Sequence, residues 1–221
     1  KEIVGFEPQE QPQTYSLPSD AGSITSATAM RDLNTLLLLT NNRKLLSFTP
    51  SNGKFTANTI TLPENVDSMS AYLTYLYILD TKSGNIYRYP RAEGGFGEGA
   101  KWLKQSISIN QNSSISVGES LYLSHENTLQ TFSKGKSDAF ALQSSATPFS
   151  FTQIRTSQDL THLYFLDAVN KRIVQADPSS GAILAQYTND KLNGATSFTV
   201  DEQNKRIFFT TISETFSFPM E

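Results

Sequence analysis

The sequence contains no cysteine, which excludes disulfide bonds, zinc sites built on cysteine and a cysteine nucleophile. Charged residues make up only 18% of the 221 residues, and the formal net charge is −3. The basic residues do not cluster, since Arg43-Lys44 and Lys171-Arg172 are isolated pairs within predicted turns. A nucleic-acid partner is therefore not expected, because phosphate binding needs clustered Lys and Arg.

Long apolar runs and histidine clusters are also missing. No apolar run approaches the ~18 residues that span a bilayer, and no signal peptide is present, so we expect no direct membrane insertion. His125 and His162 are the only histidines, and both fall in or beside predicted turns, on opposite faces. We therefore expect no metal site, no catalytic residue and no cofactor.

The sequence begins at Lys1 rather than Met, so we expect it to be part of a longer protein. The compartment stays open, and an extracytoplasmic domain of a membrane-anchored protein is favoured over a cytoplasmic one.

Five segments repeat one pattern, an apolar run, a short polar turn and a second apolar run. Their first apolar residues are 40, 45, 42 and 44 residues apart. The runs are rich in the β-branched and aromatic residues that suit strands, and the turns carry Asn, Ser and Gly. The five segments are LLLLTNNRKLLSF from Leu36, LYILDTKSGNIYRY from Leu76, LYLSHENTLQTF from Leu121, LYFLDAVNKRIVQA from Leu163 and IFFTTISETFSF from Ile207.

Each hairpin is preceded by a short, nearly uncharged segment and followed by a further strand-like segment. Four strands in every 40–45 residues is the period of a β-propeller blade. The sequence therefore predicts an all-β fold, a single propeller domain of five four-stranded antiparallel blades over residues 1–221, monomeric and almost without helix. The approximate blades are 23–63, 66–105, 106–145, 148–190 and 195–221 plus 13–18.

The last blade lacks a fourth strand in this pattern. TYSLP (14–18) is a spare strand, and we expect it to pair with the strand of Phe216 and Phe218, closing the ring and covering its edges. IVGF (3–6) and FSFP (216–219) both read as third strands, so one is surplus. We take the first as a leader; the alternatives are that it displaces the second, or that a further blade lies outside this segment.

The period and the LY-x-L-D hairpins are similar to the broad group of NHL-, YWTD- and quinoprotein-like propellers, without the repeat signature of any of them. The stretch IYRYPRAEGGFGEGAKWLK resembles the propeller-like tails of uncharacterised bacterial PP2C-type (PPM) phosphatases. None of the phosphatase's metal-binding aspartate motifs is present, so the resemblance carries over no catalytic residue. It implies an appended sensing or docking domain of a larger bacterial protein.

Two features admit an enzymatic interpretation. Asp80 and Asp167 share one repeat position and could serve as acid and base of a glycosidase. However, the equivalent positions of the other hairpins carry Thr40, Ser124 and Thr211, which also open turns. This favours a structural role for both aspartates, and Asn should replace either of them at little cost. Gly95-Phe96-Gly97-Glu98-Gly99-Ala100 matches a dinucleotide fingerprint in form, but Pro90 precedes it and a strand follows it.

The segments that join third to fourth strands vary most between blades. Because binding residues lie mostly on the loops of a constant framework, we expect the partner to bind at these segments. The longest of them, PRAEGGFGEGA (90–100), is glycine-rich and lies beside aromatic residues. We therefore predict a non-catalytic binding or scaffold propeller that contacts a protein or glycan through Tyr89, Phe96 and Trp102. The alternative is a hydrolase of the propeller glycosidase or lactonase type, with carboxylates gathered at the central channel.

Overall fold

In the computed structural model, strands make up nearly all of the regular structure, as the sequence predicts. The structure describes residues 2–5, 11–109, 113–125, 127–143 and 145–221. Within these ranges the helical elements are three single turns of 3-10 helix, Arg31–Leu33, Pro50–Asn52 and Asp190–Gly194.

Five antiparallel sheets follow one another along the chain, each in the order of its strands. An N-terminal hairpin of β1 (Glu2–Gly5) and β2 (Gln13–Ser16) precedes them. Blade 1 contains β3 (Ile24–Met30), β4 (Thr35–Thr40), β5 (Leu45–Thr49) and β6 (Lys54–Asn58). Blade 2 contains β7 (Ser68–Tyr72), β8 (Tyr75–Asp80), β9 (Asn85–Ala92) and two short strands that both pair with β9, β10 (Gly95–Phe96) and β11 (Ala100–Lys101).

Blade 3 contains β12 (Ser114–Val117), β13 (Leu121–His125), β14 (Thr128–Ser133) and β15 (Lys136–Asp138). Blade 4 contains β16 (Gln153–Arg155), β17 (Leu163–Asp167), β18 (Arg172–Ala176) and β19 (Ile183–Thr188). Blade 5 contains three strands, β20 (Ser197–Asp201), β21 (Arg206–Thr210) and β22 (Thr215–Pro219). The chain is therefore a five-bladed β-propeller.

The first strand of each blade lies at the axis of the ring. Each of these strands contacts its equivalent in the next blade, from β3 through β7, β12 and β16 to β20. Their sequences are short and rich in small residues, as in SMSAY and SISV, which allows them to crowd together. They surround a central channel.

The core lies between successive blades, because each strand sends alternate side chains to the two faces of its sheet. Leu76 and Ile78 of β8 pack towards blade 1, whereas Tyr77 and Leu79 pack towards blade 3. The interfaces between blades 1 and 2, 2 and 3, 3 and 4, and 4 and 5 are therefore apolar layers between two sheets.

The predicted pairing of residues 14–18 with the last strand is not confirmed. β2 pairs antiparallel with β1 instead, and β22 pairs with β21. The hairpin packs on the face of blade 1 opposite to blade 2, where Ile3, Tyr15 and Leu17 cover the buried Leu38 and Phe48. Apolar burial against blade 1 thus places the N-terminal segment. Phe6, the last residue of the predicted leader, lies outside the described residues.

Candidate functional site

The segment predicted as a flexible binding loop, residues 90–100, is largely regular structure. β9 continues through Ala92, and β10 folds back on it with Phe96 opposite Arg91. Gly94 makes the turn with a φ of 76°, in the left-handed region that favours glycine. The next element is the strand β11 rather than a helix, so the glycine motif lacks the helix N-terminus that a bound pyrophosphate needs.

The three aromatic residues of the predicted site differ in their exposure. Tyr89 is 1% exposed and Phe96 is 7% exposed, and both belong to the core between blades 1 and 2. The Tyr89 hydroxyl donates to Thr61 O at 2.9 Å, and burial raises the pKa of this hydroxyl to about 12. Trp102 is half-buried, with its ring edge-on to Tyr77 at 5.6 Å. Trp102 is therefore the one of the three with substantial exposed surface.

Contacts to two blades hold Trp102 in place. Its backbone N–H donates to Ile86 O at 2.7 Å in blade 2. Gly135 of blade 3, with a φ of 79°, lies so close that a Cβ built there would be 2.1 Å from Trp102 O. Lys104 N then donates to Gly135 O at 2.8 Å. Glycine is required at position 135 because no side chain fits between the two backbones.

A groove of about 380 Å³ opens beside Trp102 at the outer edge of blades 2 and 3. We call it the rim groove. Its aromatic wall is formed by Tyr75 and Trp102. Four cationic side chains also line it, namely Arg88, Lys101, Lys104 and Lys134. Glu98 contributes the one carboxylate among the described residues that line the groove.

The cations of the rim groove have no ion-pair partner among the described residues. In the part of the chain that the structure describes, no ion pair joins any of the four to a carboxylate. The Arg88 guanidinium lies over the Tyr75 ring at 4.6 Å from its centroid. Burial raises the pKa of the neighbouring Tyr77 hydroxyl, and the Arg88 charge offsets part of that rise. The groove is thus a local positive patch on a chain of net charge −3.

Asp80 has the structural role that the sequence predicts. It is 2% exposed, and its Oδ1 accepts from Lys82 N at 3.0 Å and Ser83 N at 3.2 Å. Those are the amides two and three residues onward, at the start of the hairpin turn.

Asp167 has the same position in blade 4 but different partners. It is fully buried, and its Oδ2 accepts from Arg172 Nε at 2.8 Å. Both of its oxygens also accept from Asn170 Nδ2 at 2.9 Å, and the turn amide of Asn170 is more distant at 3.4 Å. Asp167 and Arg172 therefore form a buried ion pair, which the sequence analysis missed.

The carboxylates do not converge on the central channel. Among the described residues that line the channel, Asp67 is the one carboxylate, and its Oδ2 accepts from Thr81 N at 2.9 Å and Thr81 Oγ1 at 2.7 Å. The acids at the turns between first and second strands are occupied as well. Asp32 accepts from Gln158 Nε2 at 2.7 Å, and Asp159 pairs with Arg31 at 2.8 Å.

The two histidines lie apart, as predicted. His125 ends β13 and contacts Ser113 Oγ at 3.1 Å, whereas His162 precedes β17 and contacts Glu202 Oε1 at 3.0 Å. Burial raises the pKa of Glu202, but hydrogen bonds from Thr161, Tyr164 and His162 outweigh it, so that the net pKa is lowered. Within the described ranges, no group of three His, Asp or Glu side chains could hold a metal ion.

Most residues of the rim groove are not among those predicted from the sequence. Lys101 and Lys104 flank Trp102 in the stretch AKWLK, and this combination of a tryptophan with two lysines is a signal that could have been used. Lys134 carries no such signal, because it comes from the next blade, 32 residues after Trp102.

The sequence matches no protein-family model and no curated protein. The fold does match solved structures. Virginiamycin B lyase from Staphylococcus aureus aligns with a TM-score of 0.60 and 14% identity, over 99% of this chain and 77% of the lyase chain. A chain of a nidogen/laminin complex aligns with a TM-score of 0.61 and 11% identity, over 83% of this chain and 70% of that chain.

A third match is the hydrazine synthase of Kuenenia stuttgartiensis, with a TM-score of 0.58 and 14% identity, over 94% of this chain and 59% of that one. At these identities the likeness shows the fold alone, a β-propeller. The comparisons do not show the resemblance to phosphatase tails. No helix among the described residues is long and apolar enough to cross a membrane.

Proposed function

We propose that this chain is a non-catalytic binding propeller that contacts a protein or glycan partner through acidic groups of that partner, at the rim groove. The observation that carries the proposal is the set of four cations, without an ion-pair partner among the described residues, around two partly exposed aromatic rings. Tyr89 and Phe96 lie instead in the core between blades 1 and 2, so Trp102 is the one of the three predicted aromatic residues that makes the contact.

The chemistry of the groove suits such a partner. Arg and Lys side chains attract carboxylate or sulfate groups, and Arg88 is held in place by the face of Tyr75. The exposed part of Trp102 offers a flat surface on which a sugar ring or an apolar side chain packs. Tyr75, Arg88 and Lys101 lie on strands β8, β9 and β11. The backbone of the groove is therefore already ordered, which limits the conformational entropy lost on binding.

The wider setting is part of the same proposal. The chain acts as a sensing or docking domain of a larger bacterial protein, monomeric and placed outside the cytoplasm. One observation supports the docking role: propellers of this fold include a chain from a nidogen/laminin complex. The alternative, a hydrolase with acids at the channel, is disfavoured because Asp67 is the one carboxylate among the described residues that line it.

The single tryptophan makes the proposal testable, because fluorescence emission reports directly on Trp102. We would titrate the protein with a hexaglutamate peptide and, separately, with oligogalacturonate, at low salt. We expect a saturable change in emission with at least one of the two probes. Raising the salt concentration should weaken binding, because the attraction involves exposed charges.

The matched variants are the double change Lys101→Gln with Lys104→Gln, and Lys54→Gln as a control on the exposed face of blade 1. The double variant should bind about tenfold more weakly or worse, and the control should bind as the wild type does. Equal binding by all three, or no saturable change with either probe, would contradict the proposal. Turnover in a screen of nitrophenyl glycosides and lactones would favour the hydrolase.

A further inference from the structure

The central channel is a second concave site, separate from the rim groove. Its volume is about 400 Å³, within the ~300–1,000 Å³ range of small-molecule pockets. First strands of blades 1 to 4 and the residues beside them form its wall. Hydroxyl groups dominate this wall, from Thr25, Ser26, Ser68, Ser113, Ser114 and Thr152.

Among the described residues that line the channel, one is cationic. It is Arg155, the last residue of β16. Its guanidinium donates to three neutral acceptors, which are Phe198 O at 3.1 Å, Ile154 O at 3.0 Å and Gln153 Oε1 at 3.2 Å. The Phe198 ring lies 5.6 Å away. Three of its five N–H groups are thus used, and two remain for another acceptor.

No carboxylate of the described residues pairs with Arg155. Burial lowers the pKa of its guanidinium to about 10, which is the expected effect of a charge in a poorly solvated place without a counter-charge. Arg172, a buried arginine, lies instead 2.8 Å from the carboxylate of Asp167. Arg172 thus has a carboxylate partner, whereas the half-buried Arg155 has none among the described residues.

The wall of the channel also offers hydrogen-bond donors. Ser68 Oγ accepts from Ile115 N at 3.2 Å, which leaves the proton of that hydroxyl free to be donated. Asp67, the one carboxylate of the wall, is already bound by the amide and hydroxyl of Thr81.

We propose that the channel binds a small molecule through an anionic group, a carboxylate or a phosphate, at Arg155. The guanidinium supplies the charge and two N–H donors, and the serine hydroxyls supply further donors. This site is independent of the rim groove, because it takes a small solute at the axis of the ring rather than a macromolecule at its edge.

The test uses acetate and inorganic phosphate as probes. In the wild-type protein, the side-chain Nε–H signal of Arg155 would be followed by NMR during titration with each salt, against sodium chloride at equal ionic strength. A saturable shift with acetate alone assigns a carboxylate ligand, and one with phosphate alone assigns a phosphate ligand. A shift with both supports a general anion site. No saturable shift, or the same shift with chloride, overturns the proposal.

Variants add a second readout by calorimetry. Arg155→Gln should weaken binding of the active probe about tenfold or more, and Ser68→Ala should weaken it less. Lys54→Gln, on an exposed position of blade 1 outside both sites, should leave it unchanged. Equal affinity of Arg155→Gln and the wild type overturns the proposal. If Arg155→Gln does not fold, the NMR titration of the wild type decides. The Nε–H signal of Arg155 reports on the channel and the emission of Trp102 reports on the rim groove, so failure of either proposal is recognised separately.

Discussion

Replacing Asp80 and Asp167 with Asn, one at a time, should have very different effects although the two residues share one repeat position. In Asp80→Asn the side-chain carbonyl still accepts from the amides of Lys82 and Ser83, which bind the carboxylate now. In Asp167→Asn the Arg172 guanidinium keeps its charge and loses its counter-ion.

The magnitudes follow from burial. Arg172 is 4% exposed, and its remaining acceptors are neutral: Gln186 Oε1 at 2.8 Å, Thr147 O at 3.1 Å and Pro148 O at 3.2 Å. Removing one partner of a buried ion pair lowers the free energy of unfolding by about 3–5 kcal/mol. Since Asn retains one acceptor, we expect about 3 kcal/mol for Asp167→Asn, and less than about 1 kcal/mol for Asp80→Asn.

Urea unfolding followed by far-UV circular dichroism measures both values, provided that the slope of the free energy against urea stays constant. The double variant Asp167→Asn with Arg172→Met removes both charges, and it should show a favourable coupling energy on the order of 2 kcal/mol. If Asp167→Asn is as mild as Asp80→Asn, the ion pair does not contribute to stability in the way argued here.

Three further predictions concern other parts of the ring. Glu202→Gln should lower the free energy of unfolding most near neutral pH, because the folded pKa of this carboxyl is lowered. The difference from the wild type should fade as the pH drops below the usual value of 4.5, and a difference that grows on acidification would contradict this. Tyr15→Ala should lower the free energy of unfolding by about 1–2 kcal/mol, since this half-buried ring packs edge-on against Phe48 at 5.0 Å; unchanged urea unfolding would show that the N-terminal hairpin does not stabilise blade 1. Gly135→Ala should cost about 1–3 kcal/mol and shift the emission of Trp102, because its Cβ would meet the Trp102 carbonyl; an unaltered spectrum would speak against that contact.

The blade architecture was readable because its signals are local. A strand that packs between two sheets needs apolar residues on both faces, and the LYILD and LYFLD runs show this within five residues. The period of 40 to 45 residues then determines the number of blades. The turn role of Asp80 could be predicted for the same reason, since its hydrogen bonds join it to residues only two and three positions onward.

Two predictions failed or stayed incomplete, the first because distant segments compete for one partner and the second because a single partner residue differs between two similar hairpins. TYSLP could have been paired with the last strand on pattern alone, yet Tyr15 is placed by the apolar face of blade 1. Asp167 looked identical to Asp80, and its partner Arg172 differs from the Asn85 that faces Asp80 across the equivalent hairpin.

By itself, then, the sequence determined the strands, their alternation and the number of blades, because hydrophobic periodicity and turn chemistry act between neighbouring residues. Only the tertiary structure decided which charges remain unpaired: it brings Lys134 beside Trp102 at the rim, and it leaves Arg155 at the channel without a carboxylate. The physical reason is that a charge is neutralised or left free by groups within a few ångströms in space. In a ring of blades, those groups come from repeats that lie tens of residues apart.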